Sequence, residues 1–255
     1  MAYDEVGAGP AVVFLHGFPF NRSMWREQVE LLAPYFRVIA PDLRGHGQTS
    51  VTAGAITMEV MAQDVIALMD ALEISAAAFC GLSMGGYVTL ALCRQYPARA
   101  RALVLADTRA VADTEEGKQI REQQAQKVLH EGMASSVDSM LAKLLMPQTI
   151  EDRPEVVARV REMILNTDPA GAAAAQHGMA QRRDQTDLLP QISVPTLIIC
   201  GESDQLTPVA ESQTMHRLIP GSHLEIIAGA AHMSNFEQPV RFNDLLSSFL
   251  FDLQQ

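Results

Sequence analysis

Short apolar runs rich in β-branched residues recur along the chain at 11–15, 36–40, 77–80, 102–106, 196–200 and 224–227, each followed by a segment with helical spacing. Near-continuous apolar character, without strict alternation, is what strands need when helices cover both faces of their sheet. Strand and helix in alternation therefore predict an α/β fold with a mostly parallel sheet. The intervening segments 23–32, 58–72, 85–95, 208–218 and 239–253 place apolar residues three and four apart, as helices lying on a sheet require.

Between residues 111 and 189 the pattern breaks. Strand-like runs vanish, and a charged, Gln-rich, Met-containing stretch with helical spacing takes their place. Residues 1–110 and 190–255 are thus expected to form the core and 111–189 a helical cap inserted into it. Pro147, Pro154 and Pro169 divide the cap into four helices, since proline suits a first helical turn and breaks an interior. At 255 residues a single α/β core with one insertion is a reasonable size.

Four motifs stand directly after the expected strands. Gly81-Leu82-Ser83-Met84-Gly85-Gly86 lies between a strand and a helix, the context in which G-x-S-x-G makes a sharp turn that lifts a nucleophilic serine to the strand's end. His16-Gly17-Phe18-Pro19 resembles an oxyanion loop; the backbone N–H groups of Phe18 and Met84 are the candidate donors to a developing oxyanion. His16 itself is expected to brace that loop. Asp204, in Gly201-Glu202-Ser203-Asp204, is the candidate acid in preference to its neighbour Glu202. His232, in Gly229-Ala230-Ala231-His232, is the candidate general base.

Ser83, Asp204 and His232 run in the order serine, acid, histidine, and with the motifs around them the chain resembles the α/β-hydrolases over almost its whole length. Pro41-Asp42-Leu43-Arg44-Gly45-His46-Gly47 and Met24-Trp25 are similar to that family too, with Asp42 expected to shape a turn and Trp25 to pack on the sheet. The resemblance implies a Ser-His-Asp triad and an acyl-enzyme. Gly-Leu-Ser-Met-Gly-Gly-Tyr and Ala-His-Met-Ser-Asn-Phe-Glu-Gln-Pro are similar to small bacterial carboxylesterases and to 3-oxoadipate enol-lactonases. A carboxylesterase acting on small to medium acyl chains is expected, with a lactonase as the alternative and a ligand-binding receptor on the same fold as the non-enzyme rival.

Further candidates follow from the same resemblance. Some relatives place the acid after an earlier strand, which makes Asp107 an alternative to Asp204. A diacid lactone would need a cation, from Arg109 or the Arg182-Arg183 pair. Met133, Met140, Met146, Met163 and Met179 are candidates for an adaptable acyl pocket. The family begins with a two-stranded hairpin, whereas only about residues 2–6 precede the Gly7-Ala8-Gly9-Pro10 turn, so its first edge strand is expected to be missing.

Composition narrows the partners. A net charge of −11 repels phosphate backbones and anionic lipid, so a small ester or lactone is the expected partner, with neither nucleic acid nor membrane. No secretion signal or apolar span is recognisable, and Cys80, Cys93 and Cys200 form no CxxC pair, which suggests free thiols in the cytoplasm and no metal or cofactor. Oligomeric state is left open.

Overall fold

Seven strands form one sheet in the order β1-β3-β2-β4-β5-β6-β7, parallel throughout except for β1, which pairs antiparallel with β3. The computed structural model describes residues 1–254. In chain order the elements are β1 (Tyr3–Val6), β2 (Ala11–Leu15), α1 (Arg26–Leu32), β3 (Arg37–Pro41), α2 (Met58–Ala71), β4 (Ala77–Leu82), α3 (Met84–Gln95) and β5 (Ala100–Ala106). Five helices follow: α4 (Glu115–Glu131), α5 (Val137–Leu144), α6 (Pro147–Asp152), α7 (Pro154–Leu165) and α8 (Pro169–Ala180). The chain then returns to the sheet through β6 (Thr196–Gly201), α9 (Val209–Leu218), β7 (His223–Ile227), α10 (Ser234–Glu237) and α11 (Pro239–Asp252).

The apolar runs are nearly unbroken because each inner strand feeds two cores. Val12 and Phe14 of β2, Cys80 and Leu82 of β4 and Val104 of β5 join one core, with Trp25, Phe242 and Leu246. Val13 and Leu15, Phe79, and Leu103 and Leu105 join the other, with Met61, Val65, Val88 and Leu92 of α2 and α3. Successive side chains point to opposite faces, so every residue of such a strand must be apolar. Trp25 packs at 4.9 Å on Phe14 and 6.1 Å on Phe242, the sheet contact expected of it. Asp42 also acts as expected: its carboxylate accepts the backbone N–H of Arg22 and of Gln48, each at 2.8 Å, closing the turn.

One expectation is corrected. The helices between β5 and β6 number five, because α4 ends against Gly132, whose φ of 76° breaks the helix where no proline stands, and a 3₁₀ turn at Met133–Ser136 leads into α5. Pro147, Pro154 and Pro169 do open α6, α7 and α8 in their first turns. At the sheet edge the expectation holds: a single strand and no hairpin precedes the glycine turn, and β1, four residues long and exposed throughout, is the outermost strand on its side. So short an edge offers little template for pairing with another chain. Among the described residues no helix is long and apolar enough to cross a membrane.

Candidate functional site

β4 passes into α3 through one residue. Ser83 takes φ 55° and ψ −113°, a conformation that costs a non-glycine residue about 1–3 kcal/mol unless its surroundings hold it. They do: its N–H donates to the Ala106 carbonyl at 2.9 Å, and its own carbonyl accepts from the Gly86 N–H at 2.9 Å and the Thr108 hydroxyl at 2.8 Å. The turn is tight enough to dictate its glycines. A Cβ on Gly81 would lie 2.3 Å from the Gly85 carbonyl oxygen, and one on Gly85 would lie 2.0 Å from that of Leu15.

The three sequence candidates meet above the carboxyl ends of the strands. His232 Nε2 lies 2.8 Å from Ser83 Oγ, and His232 Nδ1 lies 2.8 Å from Asp204 Oδ2. Asp204 is fixed in turn by the N–H groups of Leu206 and Thr207, at 2.8 and 3.0 Å, and by the Thr207 hydroxyl at 2.6 Å. With the Nδ1 proton donated to Asp204, Nε2 is left to accept from the serine. Burial alone would push the Asp204 carboxyl up, but the charge and hydrogen bond of His232 outweigh it and hold the group below the usual aspartate value. Burial likewise favours the neutral His232 ring, yet the Asp204 charge and hydrogen bond prevail and raise the histidine above 6.5. A hydroxyl in this position can hand its proton to the ring as it attacks a carbonyl.

Two backbone amides are left over. Neither Phe18, in the loop after β2, nor Met84, the first residue of α3, donates its N–H to a protein acceptor among the described residues. Two free donors, one of them at a helix start, suit an oxyanion. His16 is spent elsewhere: its Nδ1 donates to the Gly17 carbonyl at 2.9 Å, and its Nε2 accepts the Leu43 N–H at 2.9 Å. Burial lowers it to about 4, so it stays neutral and ties the Phe18 loop to the segment after β3.

The alternative acids are also placed. Asp107, at φ 43°, accepts the Gly201 N–H at 2.8 Å and the Ser234 hydroxyl, and makes no bond to His232. Burial and the neighbouring Asp204 charge raise it to about 7. Glu202 is exposed and outside the cluster. Donor atoms of Asp107, Cys200 and Asp204 lie within 4.8 Å of one another, with both carboxylates engaged by these hydrogen bonds and the Cys200 thiol pushed up to about 12 by burial. Glu237 carries a role that the sequence does not announce. Buried, it accepts the N–H of Met146 and the hydroxyl of Thr149 on one oxygen, at 2.7 and 2.6 Å, and the Ala231 N–H on the other at 2.6 Å. It therefore ties α6 to the histidine loop; the one available signal is its place in the Asn-Phe-Glu-Gln-Pro run that follows the histidine.

Ser83 and His232 open into a cavity of about 390 Å³ roofed by α4 and α5. Its apolar lining includes Phe18, Val128, Leu144 and Leu206. Of the five methionines expected there, Met133, Met140 and Met179 line it, while Met146 and Met163 do not. Met163 is instead buried in the core among α7 and its neighbours. Among the expected cations, Arg109 lines the cavity; Arg182 is buried against Asp113 and the Tyr87 ring, and exposed Arg183 pairs with Asp187. Arg121, for which the sequence offers no signal beyond its charge, is in the wall as well.

Residues 10–239 match the alpha/beta hydrolase fold family. Over 241 residues the chain is 34% identical to 3-oxoadipate enol-lactonase 2 of Acinetobacter baylyi, covering 94% of this chain and 88% of that protein. The structure of this chain is similar to that of a malate-bound thermophilic esterase from Thermogutta terrifontis, with TM-score 0.97, 42% identity, and coverage of 100% and 94%. It is similar also to the enol-lactonase from Burkholderia xenovorans, with TM-score 0.93, 31% identity, and coverage of 98% and 96%. Fold, site position and relatives agree: the chain belongs to the alpha/beta hydrolase fold family, with esterases and enol-lactonases among its relatives.

Proposed function

We propose that the protein hydrolyses carboxylic esters of small to medium acyl chain, with Ser83 as nucleophile, His232 as general base and Asp204 as the acid that orients it. What supports this most is one observation: the unbroken hydrogen-bonded row from Ser83 through His232 to Asp204 at the floor of a cavity. In this reading His232 takes the Ser83 proton as Oγ adds to the carbonyl carbon, and the Phe18 and Met84 amides receive the negative charge. The tetrahedral species expels the alcohol, protonated by His232. Water, deprotonated by the same ring, then releases the acid and restores Ser83. Residues 111–189 act as the cap that roofs the pocket. The buried free thiols fit a reducing compartment, the cytoplasm.

A lactonase is the second reading, favoured by the 34% identity to an enol-lactonase over nearly the whole chain. It uses the same steps, with the leaving oxygen still tethered to the acyl group. The test is a panel of p-nitrophenyl esters of increasing chain length and small lactones, on wild type and Ser83→Ala. Ser83→Ala is expected to lose roughly 10⁴–10⁶-fold in turnover while remaining folded. Near-normal turnover by that variant would sink the assignment. A fluorophosphonate probe separates an enzyme from a receptor that kept the fold, because only an activated Ser83 is labelled.

A further inference from the structure

We infer that Asp107 is a positioning residue for His232: from the end of β5 its carboxylate holds both the loop that carries the histidine and the strand that leads to Asp204. This role rests on the reading of Ser83, Asp204 and His232 as the reacting groups of a hydrolase.

Three successive residues at the end of β5 reach all three loops of the site. The Ala106 carbonyl accepts the Ser83 N–H at 2.9 Å, and the Thr108 hydroxyl donates to the Ser83 carbonyl at 2.8 Å. Between them, Asp107 donates its own N–H to the Ile199 carbonyl of β6 at 2.8 Å. Its Oδ1 accepts the Gly201 N–H at 2.8 Å, and its Oδ2 accepts the Ser234 hydroxyl. Gly201 ends β6, and its carbonyl accepts the Asp204 N–H at 3.2 Å. Ser234 opens α10, directly after the His232-Met233 pair. The serine turn, the acid and the histidine are thus braced on one short segment.

Asp107 sits at φ 43°, in the left-handed region that aspartate and asparagine enter more readily than other non-glycine residues. Asparagine would meet that backbone requirement equally. What aspartate adds is charge, and a charge here costs stability: the side chain is fully buried, and its hydrogen bonds come from an amide and a hydroxyl. Burial and the Asp204 charge raise it to about 7, against the pull of a charged His232. The effect is mutual. Burial favours the neutral His232 ring, while the Asp204 and Asp107 charges favour the imidazolium and Arg109 opposes it. The Cys200 thiol, close to both carboxylates and pushed up to about 12 chiefly by burial, stays neutral. An imidazolium forms each time Ser83 gives up its proton, and Asp107 favours it from behind the site, without lining the cavity.

The test follows p-nitrophenyl butyrate turnover against pH. Asp107→Asn keeps an oxygen for the Gly201 N–H and an NH₂ for the Ser234 hydroxyl, so the charge alone is lost. Its kcat should fall by less than about tenfold, and the acid limb of its kcat/KM should move to lower pH than in wild type. A residue that merely packs would lower kcat or Tm and leave the limb in place. Asp107→Gly, which suits the left-handed backbone but lacks the carboxylate, and Ser234→Ala should each lower kcat by about tenfold. The double variant should lose no more than Asp107→Gly alone, since both changes remove one bond. Should Asp107→Gly fold poorly, the limb of Asp107→Asn decides. A limb that coincides with that of wild type, or single losses that multiply in the double variant, overturns the role. So does an Asp107→Asn as inactive as Asp204→Asn, which would make Asp107 the acid. Proton NMR of the downfield Nδ1–H of His232 reads the same ionisation without substrate. A midpoint that falls in Asp107→Asn, when wild type turns over no ester or lactone, leaves the positioning role standing and removes the hydrolase. Turnover by wild type with coincident midpoints removes the role of Asp107 alone.

Discussion

Ser83 can give its proton only to a neutral imidazole, so the ionisation of His232 limits the pH range of any reaction at this site. On sequence alone an ordinary histidine would confine activity to above about pH 6. Here Asp204 stabilises the charged ring more than burial disfavours it, so the acid limb of kcat/KM is expected to lie above pH 6.5. A pH profile with its limb below that value would contradict the geometry. Asp204→Asn puts an amide, able to donate to Nδ1, in place of the carboxylate, lets the ring settle in the wrong tautomer and should lower kcat by about 10⁴-fold. Asp107→Asn tests the competing assignment. Because Asp107 bonds to Gly201 and Ser234 and not to the ring, its replacement should cost no more than about tenfold in kcat, the scale of a bond or two loosened around the site. Strong inactivation by Asp107→Asn, with Asp204→Asn unaffected, would reverse the two roles.

At the level of elements, the site depends on contacts that hold the loops at the strand ends together. The β4–α3 turn works because Gly85 brings α3 against the end of β2; Gly85→Ala places a methyl 2.0 Å from the Leu15 carbonyl and should prevent the turn from closing. That variant is expected to fold poorly or lose labelling by a fluorophosphonate, and a stable, fully labelled protein would show that the turn can relax. Glu237 does the corresponding work on the histidine side. Glu237→Ala would leave the Met146 and Ala231 amides without their acceptor, and should lower stability by about 3 kcal/mol in denaturant unfolding, with activity lost at a lower temperature than in wild type. Neither Gly85 nor Glu237 lines the cavity. They keep Ser83 and His232 at 2.8 Å.

Across the whole molecule, Asp113 and its three arginines tie the helices between β5 and β6 to the body of the protein, and Asp113→Asn would leave those guanidiniums uncompensated. The expected loss is about 3 kcal/mol, visible as a lower Tm. The sign with pH is set by its lowered carboxyl: the contribution is present above the ordinary 3.8 and is lost as pH falls through about 2. Wild-type stability should therefore decline across that window, and Asp113→Asn should flatten that part of the curve. The strands, the turn at Ser83 and the order of Ser83, Asp204 and His232 are legible in the sequence, because apolar runs, glycines in tight turns and residues at strand ends obey short-range steric and hydrogen-bond rules. The same holds for the prolines at the starts of α6, α7 and α8. Contacts made across long separations are settled only when the chain packs. Arg121 faces the cavity while Arg182 is buried behind it; Met140 lines the pocket and Met163 does not; Glu237 reaches back to α6. Each depends on how the helices dock, and docking is set by the summed packing of side chains far apart in the chain, which no local pattern records.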